Sequence, residues 1–393
     1  MLKRTSDHPP PSDCIERVRR LAPIIAAAAA RIEQQRVIPP EIIDAMHAAR
    51  LFRLLMPRAY GGEEVEVWVY LQAVEEVAMA DASTAWCMAQ ASGSSLAAGF
   101  LAPDVAREIF GDPRAVIASG PPGSQARAIA VDGGFSITGS WPFASGITHG
   151  TWLAAHCGVY ERDGTPRRMA NGKQRERTMF FPKSNAAINL GWDVIGLRGT
   201  GSHGYAVAEL FVPEAYSFSR DSTADRREPG PLYSFPLLNI FGLSFAAVAL
   251  GIARATLDAF IRLAAVKAPR VSGRLLSGDP VVQSEVALTE ARLRAARAYL
   301  FETAREAWDA AAGGFMPAQL ALMRMASTYV IGQARDVVDT AYRAAGSTAI
   351  FESQDFERRF RDMHTVSQQV QAHAWNFEVA GQHILGMHPD GSG

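Results

Sequence analysis

Two stretches of helical texture enclose a segment of a different kind, and that order constrains the fold more than any single motif. Residues 14–112 hold Ala-rich and amphipathic runs such as "CIERVRRLAPIIAAAAARIEQQR". Strong helix formers with apolar residues three and four apart predict helices there, with Ser12 or Asp13 as a cap and a break near Asp81. From 113 to 218 Gly and Pro become frequent and β-branched residues cluster. In "ARAIAVDGGFSITGSW" two short runs flank Asp132-Gly133-Gly134, the chemistry of a hairpin turn. A polar stretch over 219–235 reads as a linker. Beyond it the helical pattern returns, and the segments near 239–267, 280–311, 317–345 and 354–385 are each long enough for a major helix. The predicted fold class is α+β, mainly α. It has an N-terminal helical domain over 14–112, a barrel-like antiparallel β-domain over 113–218 and a C-terminal four-helix bundle over 236–388, with 1–13 a mobile tail.

The charge balance narrows the partners. With a net charge of −1 and no long block of one sign, neither nucleic acid nor an anionic membrane surface is expected. Cys14, Cys87 and Cys157 lie far apart with no CxxC, which fits a reducing, cytoplasmic setting rather than a disulfide framework or a structural zinc site. The N-terminal "MLKRTSDHPPPSD" lacks the apolar core of a signal peptide, and "IIAAAA" is too short to span a bilayer. No acidic or histidine cluster has metal-ligand spacing, so no metal is expected. No Gly-x-Gly-x-x-Gly follows a predicted strand and no Walker A motif occurs, so no nicotinamide site is expected on this chain.

Four short stretches carry chemistry. "FERRFRDMHTVSQQ" (356–369) places His364 one step off an apolar stripe of Phe356, Phe360, Met363, Val370, Ala374, Phe377, Gly381 and Ile384. Read alone, His364 is a helix-boundary histidine. "GSWPFASG" (139–146) is a turn in which Ser145 would serve local hydrogen bonding and Trp141 and Phe143 the strand core. "GLRGTGSHGYAVAELFVPE" (196–214) and "RLLSGDPVVQ" (274–283) complete the set.

In this order and spacing the chain resembles the acyl-CoA dehydrogenase superfamily over nearly its whole length after residue 14. The dehydrogenases of that superfamily follow a segment like "ERRFRD" with Tyr-Glu-Gly-Thr, whose Glu removes a substrate proton. Here the continuation is "MHTVSQQVQAHAW", with no carboxylate between Asp362 and Glu378. The chain is more similar to the two-component, reduced-flavin monooxygenases of the superfamily, which include phenol and indole hydroxylases, a dibenzothiophene monooxygenase and amino-sugar N-oxygenases. The resemblance implies reduced FMN or FAD and O₂ as cofactors, a flavin C4a-hydroperoxide, a small aromatic substrate, a separate flavin reductase and a homotetramer. It implies that His364 is the active-site base, and that Ser145 touches flavin N5 with Trp141, Phe143 and Ala144 around it. It implies that Arg274 meets the flavin phosphates, that Gln283 also binds the cofactor, and that Gly346 and Ser347 approach the cofactor of a neighbouring subunit. Ser94 and Trp192 join His364 at the substrate. Ser94 stands where several phenol hydroxylases carry a further histidine, which points to an indolic or other non-phenolic ring. The competing readings are an acyl-CoA dehydrogenase with a relocated base, an amino-sugar N-oxygenase and a flavin-free scaffold.

Overall fold

The computed structural model describes residues 13–219, 223–269, 273–354 and 356–387. The expected tail up to Ser12, three residues of the expected linker and the last expected bundle residue lie outside them. The N-terminal layer holds α1 (Asp13–Gln35), α2 (Pro40–Ala48), α3 (Val67–Ala80), α4 (Ala82–Ser95) and α5 (Pro103–Phe110). Proline opens α2 and α5, where a missing N–H costs no helical bond. Asp81 divides α3 from α4 because its carboxylate accepts from Thr84 N at 2.7 Å and so caps α4.

Eight strands follow: β1 (Ile117–Gly120), β2 (Arg127–Val131), β3 (Gly134–Trp141), β4 (Trp152–Tyr160), β5 (Glu176–Pro182), β6 (Ala187–Asn189), β7 (Gly204–Pro213) and β8 (Ser217–Phe218). The β2–β3 hairpin turns at Gly133, whose φ of 77° explains the glycine. The sheet is mixed rather than wholly antiparallel as expected. β1 and β2 both pair parallel with β4 along the same side, β1 with its first half and β2 with its last. The cause is the connection 142–151, which steps past β2 at one end of the sheet, so β4 runs antiparallel to β3 and therefore parallel to β2 and β1. That same connection holds Ser145. Along the sheet the order is β6-β7-β3-β2-β4-β5-β8.

The helical bundle contains α6 (Leu237–Ala264), α7 (Pro280–Ala310), α8 (Pro317–Ala345), α9 (Phe356–Val366) and α10 (Trp375–Ile384). Helix α6 is long and apolar enough to cross a membrane, yet 94% of its most apolar window is buried inside the protein. Over Ile240–Ala253 it is apolar nearly all round because neighbours cover every face.

The fourth expected helix is broken in two. Thr328 Oγ1 donates to Gln371 O at 2.7 Å, and Asn376 Nδ2 donates to Val370 O and His373 O. The first of these comes from α8 and the other two from within the same segment; together they take carbonyls that a continuous helix would use, so the apolar stripe ends at Val366. Val370, Phe377 and Ile384, expected on that stripe, are exposed. The break turns Val370, Gln371 and Trp375 toward α6 and α8.

Candidate active site

Ser145 is placed by a ladder between two loops. Ala144 N donates to His203 O and Gly146 N to Thr200 O, at 3.0 and 2.9 Å. The turn 142–146 therefore lies against 200–203, which precedes β7. Gly120 lets β1 run beneath it: a Cβ there would come within 1.9 Å of Pro142 O. Ser145 is 6% exposed. Its Oγ accepts from Trp86 Nε1 on α4 at 3.0 Å and lies 2.7 Å from Ser202 Oγ, which is 2.7 Å from Thr200 Oγ1.

The direction of that chain can be worked out. Thr200 Oγ1 donates its single proton to Leu197 O at 2.8 Å. Ser202 must then donate to Thr200, and Ser145 to Ser202, because a hydroxyl has one proton and two lone pairs. Ser145 Oγ thus spends its proton on Ser202 and one lone pair on Trp86. One acceptor lone pair is left.

Trp86 continues the site into the bundle. Its ring stacks on Phe245 at 4.0 Å with 7° between planes, and Phe241 stacks on Phe245 at 5.9 Å. One to two turns back along α6, Leu238, Asn239 and Gly242 line a cavity of about 220 Å³. Helix α8 supplies Arg324 and Ser327, and the break after α9 supplies Val370 and Trp375. The hydroxyl at Ser145 and this small, mostly apolar pocket are therefore joined by one row of aromatic rings.

The expected site residues divide. Beside Ser145, Phe143 is 57% exposed with a φ of 59°, and Trp192 meets it edge-on at 6.0 Å. Exposed flat apolar surface next to a polarised hydroxyl fits an isoalloxazine. Ala144 is buried behind them. Trp141 is a correction: it is 0% exposed, stacked on Tyr205 at 5.2 Å and donating Nε1 to His156 O at 3.0 Å. Strand alternation turns it into the β-domain core, so it is not a cofactor wall. Ser94 is buried on α4 beside Gly93, on which the Phe241 ring rests. It is not among the residues lining the pocket.

Arg274, Gln283, Gly346 and Ser347 gather elsewhere, and all are exposed. Lys267, just past α6, links their segments by donating to Ala345 O at 2.6 Å and Thr348 Oγ1 at 2.8 Å. The far end of α6 lies roughly 28 Å along the helix from Phe245.

His364 is also separate. Its Nε2 lies 2.8 Å from Asp339 Oδ1 on α8, and its ring rests on Phe360 at 4.3 Å. Both line an open cavity of about 580 Å³ with Arg292, Tyr342 and Arg343. Along α8, Asp339 is roughly 18 Å from Ser327. The helix periodicity explains the separation, since His364 and Asp362 point nearly opposite ways on α9. Asp362 faces the site's loop: its Oδ1 accepts from Leu197 N at 2.6 Å, and burial pushes its carboxyl up to about 7. Arg361 binds Ile195 O and, at 2.7 Å, Glu33 and Glu357. The Arg-Asp pair thus fastens the 195–200 loop to α9. A Cβ on Gly196 would stand 2.2 Å from Arg361 O, so that approach requires glycine.

Sequence reasoning missed Trp86, Ser202, Phe245, Asn239 and Arg324. The i, i+4 aromatics Phe241 and Phe245 were the available signal for one of them. Glycines 199, 201 and 204 do have Gly-x-Gly-x-x-Gly spacing, but they lead into β7 and not from a strand into a helix. The dinucleotide context is missing.

Comparison with known proteins identifies the family. Residues 14–102 match the acyl-CoA dehydrogenase N-terminal domain and 243–374 the acyl-CoA dehydrogenase C-terminal domain. Indole-3-acetate monooxygenase of Pseudomonas putida is 31% identical over 360 residues, covering 91% of this chain and 90% of the relative. The oxygenase subunit HsaA of a flavin-dependent monooxygenase from Rhodococcus jostii is 26% identical, covering 89% and 92%. The structure of XiaF from Streptomyces sp. with FADH2 and glycerol superposes with a TM-score of 0.88 at 24% identity, over 97% of this chain and 96% of that one. With both domains matched and a relative of this identity along the chain, the protein belongs to the acyl-CoA dehydrogenase superfamily, in its branch of flavin-dependent monooxygenase oxygenase components.

Proposed function

We propose that this chain uses reduced FMN or FAD, delivered by a separate reductase, to hydroxylate a small indolic substrate in the Asn239–Arg324 pocket. The observation that carries the reading is the free acceptor lone pair on Ser145. Reduced flavin bears a hydrogen on N5 and can donate to it; oxidised flavin has only a lone pair there. Phe143 and Trp192 would flank the ring system, and Trp86 would hold the serine. When bound, reduced flavin supplies the electrons that activate O₂. The protein's part is to hold the N5 proton, exclude water with Trp86, Phe245 and Phe241, and orient the ring.

The pocket lining favours oxidation of an electron-rich ring over dehydrogenation of a thioester. Among the described residues it contains neither carboxylate nor histidine, so no group there would remove an α-proton. The same absence favours an indole over a phenol, which would gain from a nearby base. The test is binding. Reduced flavin should bind at least ~10-fold tighter than oxidised flavin, about the value of one hydrogen bond. Equal affinities in an anaerobic titration would remove the support that Ser145 gives.

His364 is assigned a positioning role. Its contact with Asp339 joins α8 to α9, and α9 carries the segment that walls the pocket. His364→Ala should lower product per reduced flavin by less than about tenfold and destabilise the chain by ~1 kcal/mol. A loss of about 10²- to 10⁴-fold in a fully folded variant would instead give His364 direct proton transfer. The exposed Arg274–Gly346 cluster lies too far from Ser145 to serve the same flavin ring. We assign it to the cofactor of a second copy, within a homotetramer.

A further inference from the structure

Two polar groups in the pocket are left without partners. Asn239 is 2% exposed; its Nδ2 donates to Leu320 O at 3.0 Å, while its Oδ1 has no partner although buried. A buried amide oxygen without a donor is costly. Arg324 lies one helical turn beyond Leu320 on α8 and is half-buried in the same wall. Among the described residues no carboxylate pairs with it, and burial alone lowers the pKa of its guanidinium. Every other ionisable group is absent from the pocket lining. A half-buried guanidinium beside Trp375 and Val370, with no carboxylate in the lining, is open to an anionic ligand.

We propose that the substrate is a small indolic carboxylate: its carboxylate binds Arg324 and its ring N–H donates to Asn239 Oδ1. The inference rests on the reading of this pocket as the substrate site. Asn239 is tied to Leu320 O, and Arg324 stands one turn, roughly 6 Å, further along α8, so one small ligand in this cavity meets both groups. The cavity of about 220 Å³ is smaller than the ~300–1,000 Å³ of drug-sized sites. It suits a one- or two-ring molecule and is too small for a flavin. The occupant of Arg324 is therefore a substrate carboxylate and not the cofactor's phosphate.

The probes are indole-3-acetate and its neutral analogue 3-methylindole, with binding followed by quenching of tryptophan fluorescence. The folded protein should prefer the acid by ~10- to 100-fold, the range of a partly desolvated charge-assisted pair. Arg324→Gln should abolish that preference and leave 3-methylindole within about threefold. Arg324→Lys should restore part of it, since an ammonium keeps the charge but not the planar fork. Asn239→Leu should weaken both indoles alike. Equal affinity for the two probes in the unaltered protein would overturn the inference. So would an Arg324→Gln variant that loses reduced FMN and not the acid. If 3-methylindole is hydroxylated as well as the acid, the monooxygenase reading survives and only the carboxylate site fails. If reductase-supplied protein hydroxylates neither probe, both readings fall.

Discussion

With NADH, oxidised flavin and oxygen but no second protein, this chain should consume NADH no faster than buffer. Adding a flavin reductase and an indolic substrate should bring product formation to on the order of 1 s⁻¹ or more, the low end of ordinary turnover. The reason is structural. A nicotinamide fold needs a glycine-rich turn from a strand into a helix, so that the helix N-terminus meets the pyrophosphate. Among the described residues, the helices near Gly199–Gly204 are a short 3-10 turn before Gly201 and the packed faces of α1 and α4. Gly204 opens β7 instead. Rapid NADH oxidation by the purified chain, unchanged by reductase, would show a nicotinamide site that the fold does not provide.

Ser145→Ala should raise the rate at which hydrogen peroxide is lost after bound reduced flavin meets oxygen by roughly 5- to 150-fold. That corresponds to losing one hydrogen bond of ~1–3 kcal/mol to a reactive group. The variant removes the acceptor for the flavin proton and also leaves Trp86 Nε1 and Ser202 Oγ without their partner. Reduced flavin should still bind, because the Phe143 and Trp192 faces remain, but its advantage over oxidised flavin should disappear. Ser202→Ala is the comparison. It lets Ser145 turn its proton elsewhere and should cost less. Unchanged peroxide release from the Ser145→Ala enzyme would mean that Ser145 is a turn residue and nothing more.

Much of the architecture could be read from local pattern. Asp132-Gly133-Gly134 announced its hairpin because turn chemistry is local, and Asp81 announced the α3–α4 boundary because capping is local. The parallel pairing of β1 and β2 with β4 could not be read, since it depends on where the 142–151 connection returns the chain. Likewise the break at 370–376 has no glycine or proline to mark it. It exists because Thr328 on α8 and Asn376 at the start of α10 capture its carbonyls.

The site shows the same division. Ser145 could be found from "WPFASG", because the turn that presents it is a contiguous motif. Its hydrogen-bond direction could not, since that depends on Trp86, Thr200 and Leu197, brought together by α4 and the loop before β7. Trp141 looked like a cofactor wall and is core, because alternation along β3 aims it inward. His364 looked like a base from its neighbours in sequence. The helical rotation of about 100° per residue around α9 turns it toward Asp339 and away from the Asp362 face. Arg324 gave no signal, since one arginine on an amphipathic helix looks like any solvated charge until its surroundings are known.

The most direct test of the central claim is isotopic. The chain, a flavin reductase, NADH and indole-3-acetate would be incubated under ¹⁸O₂ in ordinary water and the product weighed by mass spectrometry. A flavin monooxygenase places one atom of molecular oxygen in the product and the other in water, so the product should gain a single ¹⁸O for each reduced flavin productively consumed. Reduced flavin that is bound and reoxidised without any ¹⁸O entering the indole, or product oxygen drawn from water, would contradict the account.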